Sequence, residues 1–486
     1  MLLEAGNTTS VAPKKRQRAA TIIARQDRIS IWALPILYLV IIGIGFLFTF
    51  FDIFDINVSF IQTCIQIVPH CDPVTAGKYL GLPVLLNLVG YVAGSLILSP
   101  LADRYGRRDL LVITLILTGI GSLYTAFVGD YTNFIIARTI TGIGIGADLA
   151  LVNTYLNEIA PGQGRVKYTA FIFIMSSLGA FLGIWLGLYL TTPATPFPLG
   201  LPFAIAGPQF EFGWRVMYIA GALLAAIGLL FRFQLPESPR WLVSRGRLSE
   251  ADRVVTAMEK YASARLPSLP PVPANLPVLP RSEQGSYIDI LGNSLYLKRT
   301  ILILVIWLVG YISVYSIAAG LTTLLAALQY PPPEAGLIAA TGTFGFIACA
   351  VTAYLLGEKM ERKYWLLLAG VLTLLGGIII ALSDKSFGIA ALGSIILFFG
   401  FNIWIPMTYT WSTENYPTRA RATGFALVDG IGHIGGGVGV TFIASVTVKI
   451  GPLATFVLIG GFLLAAAGLA QFGTATRQKR LDEVSP

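Results

Sequence analysis

The chain has 486 residues, of which 55% are hydrophobic and only 12% charged; a soluble domain carries about 25% charged residues. So few charges cannot solvate a surface of this size, which excludes a soluble globular protein and places most of the surface in lipid. The net charge of +9 does not require a nucleic acid partner, because the placement of the basic residues along the chain accounts for it.

Residues 1–30 include Lys14, Lys15, Arg16 and Arg18. No A-x-A-like cleavage site follows, and the apolar stretch from Ile29 to Ile67 is too long for a secretory signal. The expectation is a cytoplasmic tail near anionic lipid, then an interfacial lead-in from Arg28 to Pro35 with Trp32 at headgroup level. Twelve apolar runs of spanning length, about 20 residues, are expected at 36–61, 80–100, 109–129, 132–158, 168–191, 214–233, 300–322, 335–356, 364–383, 387–411, 424–446 and 453–472. Cys64 and Cys71 flank the outer end of the first span, where a disulfide and two free thiols both fit an oxidising face. Cys349 falls inside span 8 and reads as packing. Gly142-x-Gly144-x-Gly146 lies within span 4 with no strand before it, so it is not read as a nucleotide loop. Residues 31–233 and 300–472 form the two six-span bundles. Between them, 234–299 form a cytoplasmic loop with a helix from Ser249 to Ala264, capped by Ser249. Six prolines within 266–280 make an extended linker. Residues 473–486 form a second cytoplasmic tail.

With the N terminus inside, 29 of the 34 lysines and arginines fall on the inner side. That asymmetry follows the positive-inside rule and predicts a multi-pass protein of the cell membrane with both termini cytoplasmic. The two bundles are tandem copies. Glu158-x-x-Pro161-x-x-x-Arg165 recurs as Glu414-x-x-Pro417-x-x-x-Arg421, and Asp103-Arg104-Tyr105-Gly106-Arg107-Arg108 recurs as Glu358-Lys359-Met360-Glu361-Arg362-Lys363. Gly179 and Gly183 of span 5 recur as Gly435 and Gly439 of span 11, a spacing that lets helix backbones approach.

These motifs carry a resemblance over essentially the whole chain. SPLADRYGRRDLL at 99–111 resembles the loop 2–3 signature of the major facilitator superfamily, with Ser99 in place of the usual glycine. PESPRWL at 236–242 and both Glu-x-x-Pro-x-x-x-Arg copies resemble its sugar-porter-type branch. The resemblance implies an all-α membrane protein of twelve transmembrane helices, arranged as two pseudo-symmetric six-helix bundles around a central cavity. The glutamines that sugar porters carry in spans 5 and 7 are missing from FIFIMSSLGAFLGIWLG and VIWLVGYISVYSIAAG, which counts against a hexose. FFDIFDIN in span 1 and GIGIGADLAL in span 4 look closer to phosphate and organic-anion branches.

A charge inside hydrocarbon is expensive, so intramembrane ionisable residues are functional candidates: Asp52, Asp55, Arg138, Asp148, Asp429 and His433. Asp52 and Asp55 share a helical face, and two carboxylates kept from water can hold a proton near neutrality. The resemblance pairs Asp55 with Arg138, in a contact broken on protonation; Asp52 reads either as a second proton carrier or as a solvated group near the outer interface. Asp148 matches an acidic position of phosphate:proton symporters. Asp429 and His433, at i,i+4, read as a proton relay or as a self-satisfied polar pair. Substrate-binding candidates are Asn153, Tyr311, Tyr315, Asn402, Trp404 and Trp411. At the cytoplasmic end a gate is expected from Asp103, Arg107, Arg108, Glu158, Arg165, Glu237, Arg240, Glu358, Arg362, Glu414 and Arg421. In it, Arg107 and Arg108 would pair with Glu158 and Arg362 with Glu414. The resemblance makes these pairs the lock of the outward-facing state.

The expected function is secondary active transport of a small polar solute (an organic acid, phosphate or a sugar-like compound) by alternating access and proton symport. The partners are solute, protons and the lipid bilayer; the expectation is a monomer without cofactor, metal or enzymatic activity. A uniporter of the same family, or a transporter-like solute sensor, is the alternative.

Overall fold

The computed structural model describes residues 8–161, 165–273, 290–416 and 421–477. Its helices, in chain order, are α1 (Thr8–Asp27), α2 (Ile36–Ile67), α3 (Ala76–Tyr105), α4 (Arg107–Phe127), α5 (Tyr131–Ile159), α6 (Arg165–Thr191), α7 (Gly213–Arg232), α8 (Pro239–Ser244), α9 (Leu248–Ser263), α10 (Ser294–Ala318), α11 (Leu321–Ala327), α12 (Pro332–Leu356), α13 (Arg362–Ala381), α14 (Phe387–Glu414) and α15 (Arg421–Ala470). Among the described residues, 11 helices are long and apolar enough to cross a membrane. The last is two spans in one: its 50 residues would extend about 75 Å against a hydrocarbon core of about 30 Å. Gly451, at φ 78°, leaves helical geometry and Pro452 follows it, so the chain turns back there. The crossings are then the twelve expected, six from α2 to α7 and six from α10 to α15. Ile97, Ile120, Leu223 and Leu230 lie exposed on the outer surface, an apolar face that only lipid covers favourably.

Within the first half α2 packs on α6 and α7, and α3 on α5; within the second α10 packs on α15 and α13 on α14. The repeated glycines sit at two of these contacts. A side chain at Gly179 would meet the backbone of Leu47, and one at Gly435 the backbone of Leu308, so each copy lets a helix close on its neighbour within its own half. The halves meet along two related seams, α3 against α15 and α6 against α12.

Span 7, expected as one continuous run, is broken. The helix stops at Ala318, and a short helix, α11, starts at Leu321. The break frees two carbonyls in a buried place, where an unpaired polar group is costly. Asn57 of α2 satisfies them: its Nδ2 donates to the Ile317 and Ala318 oxygens at 3.0 and 2.7 Å, and Thr322 Oγ1 donates to its Oδ1 at 2.6 Å. These bonds close the halves together at the end away from the basic loops. A disulfide joins Cys64 and Cys71 at that same end.

Most of the described part of the N-terminal tail is the helix α1, docked on α9. Ile22 packs with Trp241, Leu242, Ala251 and Val255. Arg25 bonds Asp252 and Glu259, and Arg28 bonds Glu259 at 2.6 Å. Partial burial works against the Glu259 charge, but the Arg25 and Arg28 guanidiniums outweigh it and hold its carboxyl below the usual range. A depressed glutamate contributes stability that is complete above its unfolded value of about 4.3 and is lost as pH falls through the folded value. Docking of α1 should therefore persist across neutral pH and fail only in acid. Arg25→Ala should raise amide hydrogen exchange across the described part of α1 severalfold at pH 7 while leaving α2 protected; unchanged exchange in α1 would refute the clasp.

Candidate functional site

Two polar clusters lie inside the bundle, one within the first half and one at the seam between the halves. The first is built on α2, α4 and α5. The Arg138 guanidinium donates to Asp52 Oδ1 at 3.1 Å and to the Asp52 carbonyl at 2.9 Å, and Ser122 Oγ donates to Asp52 Oδ1 at 2.8 Å. Asp55 Oδ1 stands 4.0 Å from Arg138, and among the described residues neither oxygen of its carboxylate has a hydrogen-bond partner. Arg138 thus takes Asp52 as its hydrogen-bonded partner and keeps the expected Asp55 as a looser ion pair at 4.0 Å, because it enters level with the carbonyl of Asp52 while Asp55 lies nearly a turn further on. The solvated alternative for Asp52 is excluded, since both aspartates are fully buried.

Ten residues beyond Arg138, Asp148 pairs with Arg232. Arg232 Nη2 donates to Asp148 Oδ2 at 3.0 Å, Nη1 bonds Oδ1, and Thr114 Oγ1 donates to Oδ1 at 2.7 Å. By its place at the end of the sixth apolar run Arg232 reads as one of the inner-side cations, but α7 runs through it and it is 1% exposed. Its position at the end of an apolar run hid it. The closed pair ties α4, α5 and α7 together.

The second cluster spans both halves. Asp429 Oδ2 accepts from the Tyr91 hydroxyl at 2.9 Å, across the α3–α15 seam, and Oδ1 accepts from Tyr311 at 3.2 Å. His433 Nδ1 lies 2.7 Å from the Asp429 carbonyl, and its ring stacks on Tyr91 with centroids 3.8 Å apart. Tyr311 and Tyr315 flank the imidazole at 4.3 and 5.8 Å, and Trp307 lies 4.8 Å from Tyr311 and 5.4 Å from Tyr409. The Asp429–His433 pair is therefore not self-contained; tyrosines hold the carboxylate. Trp404 joins edge-on against Trp307 at 6.1 Å. Asn402 is buried on α14. Two candidates fall away from the cluster: Asn153 donates to Leu149 of its own helix, and Trp411 Nε1 donates to the Thr474 carbonyl at 2.8 Å, where it packs under Gly473. Tyr91, Trp307 and Tyr409 were missed from sequence, because an aromatic residue in an apolar run reads as packing until its neighbours are known.

The clusters are adjacent. A cavity of about 10 Å³ between them is lined by Ile53, Asn87, Arg138 and Tyr315, close to the smallest volume that holds one water.

At the basic end the two copies of the loop motif repeat their geometry. Arg107 donates to Glu158 at 3.1 Å and to the Ala102 carbonyl at 2.8 Å; Arg362 donates to Glu414 at 3.4 Å and to the Gly357 carbonyl at 2.8 Å. Arg362 also bonds Glu358 at 2.9 Å. Each of these pairs closes within one half, so they brace loops and do not join the halves. Arg108 does not share Glu158; its guanidinium faces Asp109 at 3.8 Å. Arg240 pairs with Asp27 of α1 in place of the gate. Glu237 accepts the backbone N–H groups of Arg107 and Arg108 at 3.1 and 3.3 Å. Burial pushes its carboxyl up from the ordinary value, against the pull of those N–H groups. Gly106, at φ 122°, makes that approach possible, since a side chain there would strike Glu237. In the second copy the carboxylate has moved: Glu361 stands at the glycine position and accepts from the N–H groups of Thr476 and Arg477 at 3.1 and 3.2 Å. The side chains of Asp103, Arg165 and Arg421 lie outside the described residues.

A family model described as "Sugar (and other) transporter" matches residues 37–485. The chain belongs to that family. It is a transmembrane transporter of the major facilitator fold, and not an enzyme. It is 29% identical to the 4-hydroxybenzoate transporter PcaK of Pseudomonas aeruginosa over 73% of this chain and 75% of the relative. With the niacin transporter NiaP of Acinetobacter baylyi it shares 24% identity over 85% of this chain and 88% of the relative. Among solved structures, the xylose transporter XylE from E. coli in a partially occluded inward-open conformation superposes with a TM-score of 0.69. It is 17% identical and covers 92% of this chain and 99% of its own.

Proposed function

We propose that the chain is a proton symporter for a small ring-bearing organic acid, working by alternating access in the cell membrane with both termini cytoplasmic. The observation that carries the reading is the first cluster. With both carboxylates ionised, Asp52, Asp55 and Arg138 together bear one net negative charge in a buried place, and one proton neutralises them. Asp55 is its place, since an ionised carboxylate there has no donor to replace water. Protonation relaxes the hold on Arg138, whose guanidinium lines the cavity shared with Tyr315 of the solute cluster. Rings of Tyr91, Trp307, Tyr311 and Tyr315 suit a flat aromatic solute, and His433 and Arg138 suit its carboxylate. The relatives for 4-hydroxybenzoate and niacin, both aromatic acids, point the same way. Asp148 is assigned a bracing role, because Arg232 and Thr114 satisfy it. The halves closed at Asn57 support an inward-facing arrangement.

The test is uptake of labelled 4-hydroxybenzoate, nicotinate and xylose into proteoliposomes, with and without an inside-alkaline gradient and against protein-free vesicles. Gradient-driven accumulation of an acid, abolished by a protonophore, is expected. Equal uptake with and without the gradient would make the protein a uniporter, and accumulation of xylose alone would overturn the solute class.

A further inference from the structure

A cavity of about 600 Å³ opens at the basic end, away from both polar clusters, within the usual range for a ligand pocket. Both halves and the segment between them wall it: Trp32 from just before α2 and Ile36 from its start, Ile174 from α6, Tyr354 from α12, and Tyr261 and Arg265 from the end of α9 and just beyond. The amphipathic aromatics among these are the residue types that settle at the headgroup level of a bilayer. Ile36 is 61% exposed and Tyr354 43%, so the mouth faces the side where acyl chains lie. The Arg265 guanidinium stands 3.7 Å over the Tyr261 ring. No described ion pair engages Arg265, in contrast to Arg25 and Arg28, which Glu259 neutralises.

An apolar, aromatic-walled space with one uncompensated cation at its rim matches one class of molecule that is always present at its mouth. We propose that this cavity binds an anionic glycerophospholipid, with an acyl chain inside and the phosphate on Arg265. Water is a poor filling for apolar walls, and a guanidinium pairs well with phosphate oxygens. A lipid seated there touches α2 and α6 of one half and α12 of the other, so it links bilayer composition to the relative movement of the halves.

The experiment is native mass spectrometry of the full chain released from nanodiscs of mixed phosphatidylglycerol and phosphatidylcholine. The wild type is expected to retain phosphatidylglycerol in preference. Arg265→Gln should cut that preference about fivefold, the factor set by ~1 kcal/mol per basic residue at an anionic surface, and Arg265→Lys should keep most of it. Ile174→Trp, which fills the cavity, should lower retention of both lipids; size-exclusion profiles report whether each variant is folded. The proposal is overturned if Arg265→Gln retains phosphatidylglycerol as the wild type does. It is equally overturned if added 4-hydroxybenzoate displaces the lipid from the wild type, which would make the cavity a solute vestibule.

Discussion

Asp55→Asn is expected to abolish proton-driven accumulation while sparing solute exchange, and to leave the protein as stable as the wild type or more so. Asp52→Asn, three residues away, is expected to do the reverse to stability. The difference follows from hydrogen bonding. Asp52 receives Arg138 and Ser122, and removing its charge leaves a buried guanidinium without its close anion, a loss that costs about 3–5 kcal/mol when a buried pair is broken. Asp55 has no donor to lose, and its amide imitates the protonated acid. The cluster would then be permanently neutral, the state in which the proposed symport cycle carries solute, so solute-for-solute exchange across the vesicle membrane would continue without a proton requirement. Counterflow of labelled acid reads exchange, gradient-driven uptake reads coupling, and the thermal midpoint reads stability. Full accumulation by Asp55→Asn would remove the proton from this site. A large stability loss in the same variant would show that Asp55 has a partner and that the charge count is wrong.

That charge count also sets the stoichiometry. Two carboxylates and one guanidinium need one proton to become neutral, which predicts one proton per cycle from this cluster. The Asp429 carboxylate of the second half is an anion too, but two tyrosine hydroxyls donate to it, so it does not lack donors as Asp55 does. The duplicated chain has kept its loop braces in both copies while the unpartnered carboxylate stands in one.

Much of this was legible in the sequence, and for physical reasons. Lipid demands long apolar runs, so the spans declare themselves by length, and a charge inside one is too costly to be incidental; Asp52, Asp55, Arg138, Asp429 and His433 were visible on that ground alone. The repeated spacing of Glu158 and Glu414 after Arg107 and Arg362 announced an arginine–glutamate contact at the basic end of each half. What stayed hidden depends on partners. Arg232 ends an apolar run and looks like a loop cation until α7 is seen to carry it inward to Asp148. Asn57 has a purpose only once span 7 is known to break at Ala318. The docking of α1 could not be read because its apolar face, Ile22, is small and its partners lie more than 200 residues away. Which aspartate Arg138 chooses is a matter of level along α2, and a helical face does not specify level.

The aromatic cluster makes the second strong prediction. His433→Gln is expected to weaken binding of an aromatic acid about tenfold to a hundredfold and to leave its neutral amide nearly unaffected. Nδ1 donates to the Asp429 carbonyl, and no described hydrogen bond uses Nε2, which donates to the solute carboxylate when the ring carries its second proton. A hydrogen bond to a charged group contributes about 1.5–3 kcal/mol, and each ~1.4 kcal/mol is a factor of ten in affinity. The ring stack with Tyr91 serves acid and amide alike, so its loss would weaken both equally. Comparing nicotinate with nicotinamide therefore separates the two contributions in one variant. Trp307 lies 4.8 Å from Tyr311, so quenching of tryptophan fluorescence offers a direct titration. If affinity for acid and amide falls by the same factor, His433 is a packing residue and the carboxylate belongs to Arg138 alone. If only the acid is lost, the solute straddles the seam, with its ring among the tyrosines of both halves and its charge read beside Asp429. The Tyr91–Asp429 bond would then have to break whenever the α3–α15 seam opens, and Tyr91→Phe should speed exchange without changing the ratio of acid to amide affinity.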